Sequence, residues 1–349
     1  MKRIKIKTSR NYEVIVGAGA STTIGAEISA ISSAARILTV TDDNVAPLHA
    51  DAFISRLPQA AEKHIFILSH GEEHKSIETV MSILTYLKEH GFDRNDLIIA
   101  LGGGVTGDMA AFAASIYMRG IDFVNVPTTL LSQIDSSVGG KTGVDFLGAK
   151  NIIGTFYQPR LVLCDTDYLN TLPDEIFADG CAEVIKYAFI NDPRLLELID
   201  GGIKANIESI VFRCVSNKND IVSRDEFDRG DRALLNFGHT IGHAVEGLSE
   251  YKISHGKAVA IGMAVISEAC EASGICVGGV YDRLVSVLTA NSLPASTDFT
   301  AEALIGAVKN DKKKSGDGIS VIVPVSIAQT QIKKMSFDEL YELIKGVLL

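Results

Sequence analysis

Residues 238–246 read GHTIGHAVE, and the two histidines in that run, His239 and His243, stand four apart. On a helix this spacing puts both imidazoles on one face, where they can bind a metal, lie buried as structural histidines, or meet solvent. From Asp231 onward, Arg232, Asn236, His239, His243 and Glu246 fall at steps of four, three, four and three, so a polar line runs down a helix predicted over 231–248. Leu235, Ile241, Val245 and Leu248 form its apolar side. Surface faces usually carry Lys and Glu. Arg, Asn and two His point toward a lined cleft, with a solvated face and buried histidines as the open alternatives.

A zinc ion that also binds water or substrate commonly takes three protein ligands from His and carboxylates. His239 can be one. His255, in ISHGKAVAIGM at the start of the next predicted helix, can be another. Glu183 in DGCAEVIKYAF is the acidic candidate, three residues from Lys186 on a helix otherwise built of Ala, Val, Ile and Tyr, although a Glu–Lys pair at that spacing is also an ordinary surface contact. Lys218 interrupts the apolar stripe Ile207, Val211, Cys214, Val215, Ile221 and Val222. It either snorkels to solvent or faces a cavity that needs a cation.

A second chemistry is written in DLIIALGGGVTGDMAAFAAS, where a strand runs into Gly102, Gly103, Gly104 and Gly107 and then into an alanine-rich helix. Bare backbone at a helix N-terminus suits a pyrophosphate. The spacing is not G-x-G-x-x-G, so the usual dinucleotide fingerprint is absent, and a plain tight turn is the competing reading. Asp42, Asp43 and Asn44 end a second strand, and Thr128 and Thr129 follow a third. Strand ends of this kind bind ligands in open α/β sheets, which favours a dinucleotide, with an acid on the ribose.

The elements that must position these groups are legible in outline. YEVIVG, ARILTVTDD, KHIFILS, DLIIALGGG, DFVNVPTT and RLVLCD alternate with amphipathic stretches up to about residue 165. This predicts an α/β domain over 1–165 with a Rossmann-like, mostly parallel sheet. Over 166–349 the pattern is mainly helical, with helices near 175–190, 203–225, 231–248, 255–273 and 278–290. A late extended pair, GISVIVPVS and AQTQIKKM, precedes a terminal helix. The two domains are expected to pack closely over 160–175.

Composition bounds the partners. The 349 residues hold 33 basic and 43 acidic side chains, a net charge of −10, which disfavours nucleic acid and anionic membranes. An anionic ligand must then meet deliberately placed local cations. MKRIKIKTSR leads into no apolar core of a signal peptide, and no apolar run approaches the roughly 20 residues that span a bilayer. Five cysteines with no C-x-x-C give no disulfide framework, so a reducing, cytoplasmic setting is expected.

GEEHKS, GGGVTGD, YMRG, PTTLLSQIDSSVGGKTG, AKNIIGTFYQP, TLPDEIFADGCAEVIKYA and RALLNFGHTIGHAVE with its following HG occur in that order. With them the chain closely resembles the 3-dehydroquinate synthase family of sugar phosphate cyclases, over nearly its whole length. The resemblance implies an NAD- and zinc- (or cobalt-) dependent homodimeric lyase of the shikimate pathway to chorismate and the aromatic amino acids. It would convert 3-deoxy-D-arabino-heptulosonate 7-phosphate into 3-dehydroquinate and phosphate. The implied course is transient oxidation, phosphate elimination, reduction, ring opening and aldol closure, with NAD unconsumed.

By the same resemblance Glu183, His239 and His255 bind the metal, and His243 faces the substrate phosphate. Asp135, Lys186 and Lys218 surround the reacting hydroxyls, with Arg232 and Asn236 near the substrate carboxylate. Arg119, Lys141, Asn151 and a lysine of the 312–314 run, preferably Lys313, take the phosphate. Asp42, Asn44, Glu72, Lys75, Gly103, Gly104, Asp108, Thr128, Thr129, Lys141, Lys150 and Thr171 contact NAD. Lys257 stands where the family commonly has an acid, and the extra lysine in DKKKSG blurs the choice between Lys312 and Lys313. The alternatives are a sister cyclase making a valiolone or inosose skeleton, a glycerol-dehydrogenase-like oxidoreductase, and a zinc-stabilised NAD sensor without turnover.

Overall fold

The computed structural model describes residues 1–311 and 318–348, so Lys312, Lys313 and Lys314 lie outside the described residues. The chain forms two compact units, Met1–Pro173 with Val211–Phe227, and Asp174–Ile210 with Asp228–Leu349. A split in chain order at 165 does not contain this exchange. The stretch bearing Lys218 joins the first unit.

The first unit holds strands β1 (Lys2–Ile6), β2 (Tyr12–Gly17), β3 (Arg36–Asp42), β4 (Glu62–Leu68), β5 (Leu97–Gly102), β6 (Asp122–Pro127), β7 (Lys141–Phe146), β8 (Ala149–Phe156) and β9 (Leu161–Asp165). Seven of them make one sheet in the order β1-β2-β9-β6-β5-β3-β4, parallel throughout except for β1 on β2. Every residue of β5, LIIALG, is buried, as a parallel strand covered on both faces requires. Period-two alternation assigns the side chains to two cores. Leu38 and Ile98 join Val80, Ile83 and Met109 on one face. Ile37 and Ile99 join Ile15, Ile24 and Phe53 on the other.

The chain runs from β3 outward to β4 and then returns to β5 on the other side of β3. The sheet therefore reverses its winding between β3 and β5, and the carboxyl ends at such a point form a ligand crevice. Asp42 and Gly102–Gly104 lie at those two ends. The β7–β8 hairpin was not anticipated from sequence. Its two-residue turn uses Leu147 at φ 49° and Gly148 at φ 80°, the left-handed pair that matches strand twist.

The second unit contains the helices Asp174–Ile190, His239–Leu248, His255–Ala272 and Val280–Ala290, the hairpin of β10 (Gly318–Ser326) and β11 (Gln329–Ser336), and the terminal helix Phe337–Ile344. A helix over Ala301–Asp311 was not expected. Residues 231–248 are not one helix, because Asp231–Asn236 is a 3-10 turn and the chain breaks at Gly238, φ 80°, before His239. The polar line is thus continuous only from His239 to Glu246, and Arg232 and Asn236 sit on a separate turn.

The break follows from close packing. A Cβ at Gly238 would lie 2.5 Å from Met263 Cγ and 2.7 Å from Val259 O, and one at Gly262 would lie 2.0 Å from Gly238 O. The two histidine-bearing helices thus touch backbone to backbone. Gly262→Ala must push them apart, and we expect a loss of roughly 1–3 kcal/mol in urea unfolding together with weakened metal binding. An unchanged midpoint would contradict this packing.

Candidate active site

Glu183 lies on the Asp174–Ile190 helix, whose run from Gly180 to Ile190 is buried, and is itself 1% exposed. Its Oε2 meets the ammonium of the equally buried Lys186, one turn along. Its Oε1 lies 3.5 Å from His239 Nε2 and 3.7 Å from His255 Nε2. One donor atom from each of Glu183, His239 and His255 falls within 4.8 Å of the others.

These separations exceed a charge-assisted hydrogen bond of about 2.7–2.9 Å. They lie close to the spacing of donors that share an ion. Tetrahedral donors held about 2.0–2.2 Å from zinc stand about 3.3–3.6 Å apart, and a set of two His and one carboxylate leaves a fourth position open. The residues therefore fit a divalent metal with an exchangeable site.

Local structure aims the donors. His239 Nδ1 lies 3.2 Å from Phe237 O, inside the turn that breaks the chain, which leaves Nε2 facing Glu183. His255 Nδ1 lies 3.3 Å from Glu246 Oε2, and Glu246 is 4% exposed. The helix starting at His255 is keyed to the glutamate helix. Asp179 Oδ1 accepts from Ser254 Oγ at 2.6 Å and from Lys257 N at 3.2 Å, and a Cβ at Gly256 would lie 2.1 Å from Asp179 O.

Burial, reinforced by the Lys186 charge, drives the His239 pKa down to about 3. Burial also pulls on His255, but the nearby carboxylates of Glu183 and Glu246 outweigh it and raise its pKa to about 10. The two carboxylates thus favour the protonated form of the His255 ring. His243 is exposed, its ring 5.4 Å from that of His239 and 6.1 Å from that of His255. Arg232 is buried and Asn236 exposed on the turn preceding Gly238.

In the first unit Lys218 does not snorkel. It is 4% exposed, and its ammonium donates to Asp135 O at 2.6 Å and meets Asp135 Oδ1 at 2.9 Å. At the crevice, Asp42 Oδ1 accepts from the amides of Asn44 and Val45, each at 3.0 Å, while Oδ2 accepts from Thr106 Oγ1 at 3.0 Å. Asp42 is thus engaged on both oxygens and ties the tip of β3 to the first turn of the Gly104–Ile116 helix. The glycines admit close neighbours. A Cβ at Gly103 would lie 3.1 Å from Thr129 Cγ2, one at Gly104 would lie 3.1 Å from Ser136 Oγ, and Thr128 N donates to Gly102 O at 2.9 Å.

Lys75, 5% exposed, gathers a third group. Its ammonium lies 2.7 Å from Asp108 Oδ2, donates to Asn151 Oδ1 at 2.6 Å and stands 3.9 Å from Glu72 Oε1. Asp108 and Glu72 raise the Lys75 pKa against the lowering effect of its burial. Thr171 Oγ1 pairs with His49 Nε2 at 2.8 Å. Arg119, Lys141 and Lys150 are exposed on separate segments, the Tyr117–Arg119 turn and the two strands of the β7–β8 hairpin. Lys313 lies outside the described residues.

Sequence reading placed Glu246 on the polar line but gave it no role; the signal was its step of three from His243. The structure puts it behind a candidate ligand and groups it with His243 and His255.

Known proteins share this arrangement of elements. Residues 65–179 match the family described as 3-dehydroquinate synthase N-terminal, and residues 180–314 match 3-dehydroquinate synthase C-terminal. The chain is 39% identical over 350 residues to a 3-dehydroquinate synthase of Clostridium kluyveri, covering 98% of each. It is 40% identical over 343 residues to one of Streptococcus mutans serotype c, covering 96% of this chain and 97% of the other. Among solved structures, a 2-epi-5-epi-valiolone synthase from Streptomyces hygroscopicus subsp. jinggangensis 5008 with NAD+ and Zn2+ bound has a TM-score of 0.87 at 27% identity over 98% of both chains. A 2-deoxy-scyllo-inosose synthase complexed with carbaglucose-6-phosphate, NAD+ and Co2+ has a TM-score of 0.89 at 23% identity over 99% of both chains, a likeness of fold. By the two family matches and by identity over almost its full length, the chain belongs to the 3-dehydroquinate synthase family.

Proposed function

We propose that this enzyme converts 3-deoxy-D-arabino-heptulosonate 7-phosphate into 3-dehydroquinate and phosphate, as a homodimer in the cytoplasm. Supporting the reaction is the family membership, and the observation that carries it is the convergence of the buried Glu183 with the half-buried His239 and His255, a donor set that suits a catalytic metal. Among the described residues no helix is long and apolar enough to cross a membrane.

NAD+ with Zn2+ or Co2+, named for the two related solved cyclases, supplies a hydride acceptor and a Lewis acid that makes the reacting hydroxyl easier to oxidise. The protein's own residues orient and neutralise. Lys186 balances Glu183 Oε2, so Oε1 remains directed at the two imidazoles. Lys218 and Asp135, already hydrogen-bonded, place a donor and an acceptor beside the substrate hydroxyls. Arg232 suits bidentate capture of the substrate carboxylate with Asn236 alongside, whereas Lys141, Arg119, Asn151, His243 and a lysine of the 312–314 run suit the phosphate. The amides at Gly103 and Gly104, together with Asp42, Asn44, Glu72, Lys75, Asp108, Thr128, Thr129, Lys141, Lys150 and Thr171, suit the dinucleotide, and Asp42 also ties the tip of its strand to the helix that follows the glycines.

Identities of 39–40% to dehydroquinate synthases against 23–27% to the inosose and valiolone synthases favour this substrate over those of the sister enzymes. The test is a phosphate-release assay across sugar phosphates, in which the heptulosonate phosphate alone should turn over. Release from another sugar phosphate at equal rate, or lasting NADH absorbance with simple polyols, would point to a different enzyme.

Metal removal separates catalysis from scaffolding. Exhaustive chelation should abolish phosphate release and leave the far-ultraviolet circular dichroism unchanged, because three ligands with an open site form a catalytic arrangement. Loss of helical signal on chelation would instead indicate a structural ion.

A further inference from the structure

The metal reading assigns His255 a ligand role through Nε2 and leaves its other nitrogen unexplained. That nitrogen, Nδ1, lies 3.3 Å from Oε2 of Glu246. Glu246 is 4% exposed, stands on the helix that carries His239 and His243, and reaches His255 across to the following helix. A buried carboxylate needs a partner for its charge. A neutral imidazole with its proton on Nδ1 provides a donor to that carboxylate and turns the Nε2 lone pair toward Glu183 and His239, where the donors converge.

We propose that Glu246 is a positioning residue: its carboxylate accepts the Nδ1 proton of His255, fixing the ring tautomer and orientation that present Nε2 to the metal. This rests on the metal reading of Glu183, His239 and His255. His239 is held differently, by the backbone carbonyl of Phe237 at 3.2 Å, so the two imidazoles are oriented by unlike groups and only one can be released by a side-chain substitution.

The test uses the purified full-length chain, stripped of metal and titrated with Zn2+ against a chromophoric chelator. Removing such an outer partner typically weakens metal affinity about 10–100-fold. Glu246→Ala should show a loss of that size, Glu246→Gln a smaller one because its amide oxygen still accepts, and Glu246→Asp a partial recovery. The Co2+-loaded Glu246→Ala protein should show an altered visible absorption band, reporting a disturbed coordination sphere. Metal-free thermal melts separate a bulk structural role, which would lower Tm equally with and without metal, from positioning, which reduces the increment that metal adds. Should the alanine variant not fold, the near-isosteric glutamine carries the comparison. Wild-type protein binding one equivalent while every foldable variant binds with unchanged affinity and cobalt spectrum would overturn the proposal. Failure of the wild type to bind any divalent ion would overturn the metal reading itself, and is distinguishable from the former result.

Discussion

Replacing Glu183 by glutamine should reduce phosphate release by at least about 10³-fold, equivalent to ~4 kcal/mol of transition-state stabilisation, while the protein remains folded. Glutamine keeps the shape and one oxygen but removes the charge that serves both His-facing and Lys186-facing sides of the pocket. Metal affinity should fall with turnover. Stability should fall as well, by roughly 3–5 kcal/mol, because a 2%-exposed ammonium at Lys186 is left without its buried carboxylate. The double variant Glu183→Gln with Lys186→Met, which buries no unbalanced charge, should recover much of that stability and none of the turnover. Wild-type zinc affinity in the single variant would remove Glu183 from the ligand set.

The second large effect is expected at Lys218. Lys218→Met preserves the length of the side chain within the stripe formed by Val211, Cys214, Val215 and Val222 but removes the donor to Asp135. Loss of a positioned proton-transfer or charge-stabilising group typically lowers kcat by about 10²–10⁴-fold, and a fall in that range is expected with little change in Tm. Asp135 is 27% exposed, so water can solvate the carboxylate that remains. Lys218→Arg should not rescue the rate, since a planar guanidinium cannot occupy the place of a compact ammonium. A variant with unchanged kcat and an unfolding midpoint several degrees lower would make Lys218 a structural residue.

Much of the architecture was legible because burial writes itself into composition. A strand covered on both faces reads as a continuous apolar run, as LIIALG does, and the glycines that follow mark where the crevice opens. Lys218 and Glu183 were visible as charges where packing wants apolar groups, and both prove buried. The break at Gly238 was not legible, because it is imposed by Val259 and Met263 of a later helix rather than by neighbours in sequence. The β7–β8 hairpin escaped notice for another reason. Its strands expose Phe146, Ile152 and Phe156, so they lack the alternation that marks a half-buried strand. Chain order likewise hid the packing of 211–227 with the first unit. At Asp42, residue type and position suggest a ribose contact, and what they do not show is that the same carboxylate also caps its own loop and accepts from Thr106.

The most direct test of the central claim, a metal-assisted redox cycle with no net redox change, is phosphate release from the heptulosonate phosphate at an NAD+ concentration far below that of substrate, with and without chelator. The account predicts many phosphates released per NAD+ supplied, no accumulated NADH, and no release once the metal is stripped. Phosphate appearing only in proportion to NAD+, or continuing undiminished after exhaustive chelation, would contradict it.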